Sequence, residues 1–315
     1  MKWARNLVAC ALIAAFVFYC AAGCFGSSQA MGEHEAWRKL IASPQDFGLN
    51  SEVVSFSSLD GIPLRGWWLP AERASRGNLV LAHGRDANRS YMLSRARFLV
   101  RAEYNVLAID LRLHGESGGR YITPGYLEAQ DILGAIHYLR EHGQRAPVAV
   151  LGHSYGGVAA LYAAGQSNEI AATISDGAFE SGAEVLENLT RHYLHDPATP
   201  LWARSLLAIS KCPGIQGATR LVFYLRTGQY IGSEMTTVVP ALARIHTPVL
   251  FISGEQDFIA PTESARRMFA ALPSKQKVFL LLPNAGHNTT YKTDPGKYES
   301  TVLEFLTETL GRTAL

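Results

Sequence analysis

A serine, an aspartate and a histidine, widely separated along the chain, are the side chains best suited to chemistry in this sequence. Ser154 lies in the run Gly-His-Ser-Tyr-Gly, Asp257 follows one short apolar run, and His287 follows another. A serine hydroxyl becomes a good nucleophile when a neighbouring base removes its proton, and histidine is the usual base. A carboxylate behind the imidazole holds the ring in the right tautomer and stabilises its positive charge. These three residue types predict nucleophilic acyl transfer, provided that the fold brings them together.

The sequence around Ser154 predicts a sharp corner between a strand and a helix. Residues 147–151 form a short apolar run, and residues 157–164 continue as a helix of small residues. A serine between glycines at such a corner adopts a strained backbone that exposes its hydroxyl at the carboxyl end of a sheet. The alternative is a small residue that merely packs the helix onto the strand. A second Gly-x-Ser-x-Gly run, around Ser117, lacks an adjoining strand and helix, so Ser117 is predicted to be a loop residue.

Three acidic residues compete as the partner of the histidine. Asp257 and Glu255 both follow the apolar run at residues 249–253, and Asp176 follows the apolar run at residues 171–175. All three would lie at the carboxyl ends of strands. The residue types and positions alone leave this choice open.

His287 is the candidate base among ten histidines because it follows Gly286 just after a predicted strand. His83 and His153 also follow strands, and we expect them to orient backbone groups rather than transfer protons. The remaining histidines are expected in the N-terminal segment, in loops, on helix faces or in an insertion: His34, His114, His137, His142, His192, His195 and His246.

The elements that must position these residues alternate along the chain. Apolar runs predict strands at residues 52–58, 62–69, 78–82, 105–110, 147–151, 171–175, 248–253 and 278–282. Helical patterns occupy residues 91–104, 124–142, 157–164, 261–272 and 296–310. The first two strands are joined by an Asp-Gly turn and form a hairpin. The later alternation predicts an α/β fold with a mostly parallel sheet and helices on both faces, in which functional groups gather at the carboxyl ends of the strands.

Residues 52–312 carry the serine corner, the acid loop, the histidine loop and the His-Gly strand end, and they resemble the α/β-hydrolases of the serine esterase, lipase and S33-peptidase-like type, a superfamily with that arrangement. The order serine, acid, histidine is the order of that superfamily. The resemblance favours Asp257 as the acid, because Gly254, Asp257 and Pro261 match the acid loop of the superfamily. It also implies an oxyanion hole formed by the backbone N–H groups of Tyr155 and Arg85.

The resemblance implies a serine hydrolase that cleaves a small-molecule carboxylic ester, or else a thioester or an amide, through an acyl-enzyme intermediate. The alternative is a hydrolase-fold protein at the cell envelope that binds or scaffolds without catalysis. Retention of the serine, acid, histidine and oxyanion loop favours the enzyme. Residues 180–247 interrupt the order of strands and are expected to form a helical cap that shapes an acyl pocket, or alternatively a structural appendage or dimer contact.

The N-terminus has the design of an export signal. Lys2 and Arg5 precede an acid-free apolar run, and small residues stand directly before Cys24. Residues 1–24 are therefore predicted to be a lipoprotein signal with lipidation at Cys24, an uncleaved membrane anchor, or the leader of a freely secreted protein. Residues 25–50 are predicted to be a polar tether, followed by the hydrolase domain at 51–315. Each of these routes places the domain outside the cytosol, in the cell envelope or secreted.

Composition narrows the remaining classes of function. The net charge of +2 on 315 residues gives no reason to expect a nucleic acid partner. No His-x-x-x-His or paired-cysteine spacing stands out, the acidic residues are dispersed, and the glycine-rich runs lack the lysine of a phosphate-binding loop. The sequence therefore implies no metal and no cofactor, and it does not specify the oligomeric state.

Overall fold

The computed structural model describes residues 14–25, 28, 35–210, 214–232 and 235–311. The chain divides into two compact units. The larger unit comprises Glu33–Asn188 and Glu234–Leu315, and the smaller comprises Met1–Gly32 and Leu189–Ser233. The predicted leader falls partly outside the described residues, since residues 1–13 are among those not described.

The larger unit is built on an eight-stranded sheet in the order β1-β2-β4-β3-β5-β6-β7-β8. Its strands are β1 (Glu52–Ser57), β2 (Pro63–Leu69), β3 (Asn78–Ala82), β4 (Asn105–Ile109), β5 (Val148–His153), β6 (Ile170–Asp176), β7 (Val249–Gly254) and β8 (Lys277–Leu282). The β1–β2 and β2–β4 pairs are antiparallel, and every other pair in the sheet is parallel. The predicted fold class, with an antiparallel start and a mostly parallel sheet, is confirmed.

The helices of the larger unit include the five predicted from the sequence. They are α1 (Glu35–Arg38), α2 (Leu93–Arg101), α3 (Glu128–Glu141), α4 (Tyr155–Ala164), α8 (Val239–Leu242), α9 (Thr262–Ala271), α10 (Thr290–Thr293) and α11 (Pro295–Leu310), and α5 (Gly182–His195) begins there. Short 3-10 turns lie at Pro44–Phe47 and Arg89–Met92. The helix predicted from residue 124 begins at Glu128 instead. Gly125 has φ of +88°, which no helix accommodates, and the Glu128 carboxylate accepts from the N–H groups of Thr123 and Gly125.

Helices pack on both faces of the sheet. Alternate residues of each buried strand point to opposite faces, so each strand contributes apolar side chains to both. In β3, Leu79 and Leu81 belong to a buried cluster that also contains Leu99 of α2 and Leu306 of α11. The intervening Val80 is equally buried and lies outside that cluster. Helices α3 and α4 approach β3 and β5 as well, so the sheet is enclosed on two sides.

Residues 37–49, which lie in the predicted polar tether, belong to the larger unit and pack against the rest of it. The Trp37 side chain is buried, and its carbonyl oxygen accepts from the backbone N–H of Gly115 at 2.9 Å. Arg38 donates through Nη1 to the carbonyl oxygens of Gly115 and Ser117. Leu49 joins the buried cluster under the sheet. We call residues 35–41 the N-terminal strap, because these bonds fasten it across the loop after β4.

The smaller unit consists of a helix at residues 14–25, the end of α5, and helices α6 (Leu201–Ser210) and α7 (Ile215–Thr227). The helix at residues 14–25 lies against α7. A Cβ built on Gly23 would come within 2.8 Å of the Ala218 carbonyl oxygen, and one on Gly214 within 3.4 Å of the Tyr19 ring. Of the predicted insertion at 180–247, only residues 189–233 belong to this unit, and both ends belong to the larger unit. Within the described part of the chain, every helix is too short or too polar to cross a membrane.

Candidate active site

Ser154 stands at the corner between β5 and α4 with a strained backbone. Its φ of 53° and ψ of −116° are rare for a residue with a side chain, as the sequence predicts for this position. The corner is held by a hydrogen bond from the Ser154 N–H to the carbonyl oxygen of Asp176, at 2.6 Å. Glycine is required beside it, because a Cβ on Gly152 would lie 2.1 Å from the Gly156 oxygen. The serine hydroxyl is thereby aimed by the backbone.

The two segments predicted to supply an oxyanion hole both lie beside this serine. Tyr155 is the first residue of α4, so its N–H lies at a helix N-terminus, where peptide dipoles favour negative charge. Gly84, which precedes Arg85, follows β3, and a Cβ on it would be 3.6 Å from the Ser154 Cβ. The guanidinium of Arg85 lies over the Trp37 ring at 5.5 Å. The loop that carries Arg85 therefore borders the nucleophile on one side and the N-terminal strap on the other.

The structure brings Ser154, His287 and Asp257 into one hydrogen-bonded chain. The Ser154 Oγ lies 2.6 Å from the His287 Nε2, and the His287 Nδ1 lies 2.7 Å from the Asp257 Oδ2. All three residues are at least nine-tenths buried. The second carboxylate oxygen of Asp257 accepts from the backbone N–H groups of Ile259 and Ala260, at 2.9 and 2.8 Å. The imidazole is therefore placed between a hydroxyl and a fully hydrogen-bonded carboxylate.

The loops that carry the acid and the histidine are fastened to each other. Gln256 donates its N–H to the Ala285 oxygen at 2.8 Å, and Glu255 donates to the Leu282 oxygen at 3.0 Å. The contact needs glycine at the end of β7, because a Cβ on Gly254 would lie 2.4 Å from the Ala285 oxygen. The distance between the carboxylate and the imidazole is thus set by backbone contacts.

The two competing acids are engaged elsewhere. Glu255 is exposed, and its carboxylate accepts from the Asn284 N–H at 3.3 Å. Asp176 is buried and accepts from Arg95 at 2.7 Å, Tyr298 at 3.1 Å and Thr290 at 3.2 Å. Burial alone would raise the pKa of Asp176, but the charges and hydrogen bonds of His153 and Arg95 outweigh it and hold this pKa below its usual value.

The histidines beside the site contact backbone and buried acid. His83 lies 2.7 Å through Nδ1 from the Gly84 oxygen, and its Nε2 accepts from the Leu111 N–H at 3.1 Å. Burial lowers the pKa of His83 to about 4 and that of His114 to about 3. His153 Nδ1 lies 3.3 Å from Asp176, and its ring centroid is 5.8 Å from that of His287. His83 and His114 are thus neutral at neutral pH.

Sequence reasoning did not identify three side chains that support the site. Arg95 and Tyr298 hold Asp176 beside the corner between β5 and α4, and Trp37 stacks on His114 with ring centroids 4.7 Å apart. Arg95 and Tyr298 lie on helices with ordinary amphipathic patterns, which carry no signal of a buried ion pair. The polar surroundings of Trp37 favoured a tether.

The second glycine-flanked serine has a structural position. Ser117 lies in the loop after β4, where its hydroxyl donates to the Asp110 oxygen at 2.7 Å and accepts from the Arg65 N–H at 2.9 Å. This hydroxyl joins β2 to the loop, as expected of a loop residue. Among the residues that the structure describes, no group of three or more His, Cys, Asp or Glu side chains is arranged to hold a metal ion.

Comparison with known proteins finds relatives similar to this chain in sequence and in structure. YqkD of Bacillus subtilis, an uncharacterized protein, is 26% identical over 250 residues, covering 78% of this chain and 76% of that protein. The protein bem46 of Schizosaccharomyces pombe is 25% identical over 281 residues, covering 86% of this chain and 81% of that protein. In structure, esterase Pf2001 of Pyrococcus furiosus superposes with a TM-score of 0.71 at 22% identity, covering 89% of this chain and 98% of Pf2001.

The model of the alpha/beta hydrolase family matches residues 79–299. This match takes in the strand end at His83, the corner at Ser154, and the loops of Asp257 and His287, and it spans more than half of the chain. The chain belongs to the alpha/beta hydrolase family.

Proposed function

We propose that this protein is a serine hydrolase that cleaves carboxylic esters, with Ser154 as nucleophile, His287 as base and Asp257 as its partner. The observation that carries the proposal is the continuous chain from hydroxyl to imidazole to carboxylate, with links of 2.6 and 2.7 Å. Hydrogen-bond reach between nucleophile and base, and between base and acid, is what acyl transfer through serine requires.

In the acylation step, the Ser154 Oγ attacks the carbonyl carbon of the ester while its proton passes to the His287 Nε2. The carbonyl oxygen takes the electron pair and becomes an oxyanion. The imidazolium is stabilised by the Asp257 carboxylate, which stays ionised. The tetrahedral species then collapses, the bond to the leaving oxygen breaks, and His287 gives its proton to the departing alcohol.

Deacylation repeats these steps with water as the nucleophile. His287 takes a proton from water as the hydroxide attacks the acyl-enzyme, and it returns that proton to the Ser154 Oγ as the carboxylic acid leaves. The N–H groups of Tyr155 and Arg85 are proposed to hold the oxyanion in both halves of the cycle. One such donor contributes about 10²- to 10³-fold to the rate in enzymes of this kind.

Esters are the favoured substrate class. The Ser154 hydroxyl lies 2.6 Å from the His287 imidazole, which suits attack of a serine on a carbonyl carbon. Pf2001, whose fold this chain shares, is named as an esterase. Thioesters and amides are open to the same chemistry, and activated esters are the easiest of the three to detect.

A fluorophosphonate probe tests the proposal because it reacts only with an activated serine. Wild-type protein should be labelled at Ser154, and labelling should disappear in Ser154→Ala. The matched control is Ser117→Ala, which removes the other glycine-flanked serine and should retain labelling. A folded wild-type protein that takes up no probe and hydrolyses no nitrophenyl ester would instead be a non-catalytic member of the family.

A further inference from the structure

The two units of the chain carry opposite net charge. The whole chain has 29 Lys and Arg against 27 Asp and Glu. Residues 1–32 and 189–233 hold seven of these cations and one acid, Asp196, so the smaller unit has a net charge of +6. The larger unit has 22 cations and 26 acids, a net charge of −4. A near-neutral chain thus contains one strongly basic unit, whose partner is expected to be anionic.

The same unit exposes most of the large apolar side chains at the surface. Of the 18 large hydrophobic side chains exposed in the described part of the chain, 11 lie in the smaller unit, which is less than a third of the sequence. They are Phe16, Val17, Phe18, Phe25, Tyr193, Leu201, Trp202, Leu221, Tyr224, Leu225 and Tyr230. Exposed apolar side chains at this density mark an interaction surface.

Helix α7 shows how apolar and basic groups combine. Leu221, Tyr224 and Leu225 lie at i, i+3 and i+4, so they share one face, which we call the α7 stripe. Each is between 46% and 71% exposed. Arg220 lies one helical turn before Tyr224, at i and i+4, and is also exposed. Helix α7 contains no acidic residue.

The N-terminal helix lies against α7 directly beside the α7 stripe, whose side chains stay exposed. The Ala218 and Val222 side of α7 contacts Gly23, and Phe223 is buried. Residues 14–25 and α7 run in the same direction, because Tyr19 neighbours Gly214 and Gly23 neighbours Ala218. The α7 stripe therefore sits within one helix diameter of the predicted export signal and of Cys24.

We propose that the α7 stripe is a docking surface for a lipid bilayer that carries anionic headgroups. Leu221, Tyr224 and Leu225 would enter the boundary between headgroups and acyl chains, while Arg220 pairs with phosphate. An apolar stripe bordered by arginine and free of acids is the pattern of helices that lie in a membrane interface. A second copy of this basic unit would bring like charges together, which favours a lipid surface as the occupant.

The experiment measures whether the stripe reaches acyl chains. The full chain is placed in lipid nanodiscs with brominated acyl chains, which quench tryptophan fluorescence on contact. The discs contain phosphatidylcholine alone or mixed with phosphatidylglycerol. Tyr224→Trp adds a tryptophan to the stripe, and the control Val53→Trp adds one at a 61%-exposed position of β1 in the larger unit. Wild-type protein supplies the background of five native tryptophans.

Bromine should quench the added emission of Tyr224→Trp in the anionic discs and leave that of Val53→Trp unchanged. In the Tyr224→Trp background, Leu221→Ser with Leu225→Ser should remove the quenching. Arg220→Ala should lower the ratio of docked to undocked protein about fivefold in anionic discs, whereas Arg73→Ala on the larger unit should have no effect. Higher salt should weaken docking in the same way.

Equal quenching of Tyr224→Trp and Val53→Trp, or none of either, would overturn the proposal. So would quenching that is independent of phosphatidylglycerol and of Arg220. If light scattering shows that Leu221→Ser with Leu225→Ser converts a dimer to a monomer while bromine has no effect, the stripe joins two copies of the chain instead. The tryptophan substitutions are at exposed positions, so the test does not depend on a destabilised variant.

Discussion

At the scale of single residues, the site depends on which polar group each buried atom meets. Asp257, Glu255 and Asp176 all lie at carboxyl ends of strands, yet only Asp257 reaches the imidazole of His287. The carboxylate of Asp176 is occupied by Arg95, Tyr298 and Thr290. All three acids were candidates because each lies near the end of a strand. Their hydrogen-bond partners in the folded protein distinguish Asp257 from the other two.

Replacement of Asp257 by Asn should therefore remove most of the activity. The change keeps the shape of the side chain but removes the charge that stabilises the imidazolium, and we expect kcat to fall about 10⁴-fold. Steady-state hydrolysis of a nitrophenyl ester gives the measurement. Glu255→Gln is the matched control and should retain wild-type kcat; equal losses in both variants would contradict the assignment of the acid.

Burial of His83 links stability to pH. Its pKa in the folded protein is about 4, below the ordinary value of 6.5, so between these values the unfolded chain binds a proton that the folded chain does not. Stability contributed by neutral His83 is full above pH 6.5 and falls as the pH drops toward 4, by about 3 kcal/mol in total. Urea unfolding at a series of pH values should show a shallower dependence in His83→Gln. An unchanged slope in His83→Gln would refute the linkage.

At the scale of elements, the active-site loops are held together by backbone contacts that need glycine. Gly254 ends β7 where the Ala285 carbonyl passes, and Gly152 and Gly156 make the β5–α4 corner against each other and against β3. Local sequence signals were sufficient to locate these loops, because each combines the end of an apolar strand with a nearby glycine. The start of α3 was misplaced, because the positive φ of Gly125 cannot be read from helix-favouring neighbours.

Gly254→Ala should separate the acid loop from the histidine loop. The added Cβ would lie 2.4 Å from a backbone oxygen, so one loop must move. A shift of about 1 Å costs on the order of 10²-fold in rate, and overpacking destabilises the fold by about 1–3 kcal/mol. Ester hydrolysis and thermal unfolding measure the two effects. Gly217→Ala on α7 meets no atom within 4 Å and should leave kcat unchanged, so activity retained in Gly254→Ala would show that the contact is not needed.

At the scale of the whole molecule, the sheet and the order of its motifs could be predicted, whereas the long-range contacts that join its parts could not. Each strand and each loop of the candidate site is a local pattern, and the alternation of strands with helices then restricts the topology. The N-terminal strap and the ends of the insertion depend on contacts between distant residues. Asn88 donates to the carbonyl oxygens of Trp37 and Lys39, and Val238 donates to Glu180, and these bonds leave no periodic trace in the sequence.

A shortened chain tests the importance of the strap. A chain that begins at residue 42 loses the buried Trp37, and loss of a buried tryptophan costs about 3–5 kcal/mol. The control chain begins at residue 33, so both lack the helix at residues 14–25 and differ only in residues 33–41. We expect a much lower urea midpoint for the shorter chain; equal midpoints would show that the strap is dispensable.

The position of the strap makes the effect of a backbone cut depend on where the cut falls. A cut before Glu35 leaves Trp37 joined to the larger unit, with its ring against His114 and the Arg85 guanidinium. A cut after Ile41 leaves the strap held only by noncovalent contacts, so that it can dissociate and take Trp37 away from both side chains. We therefore expect limited proteolysis on the C-terminal side of the strap to weaken the fold more than proteolysis on its N-terminal side.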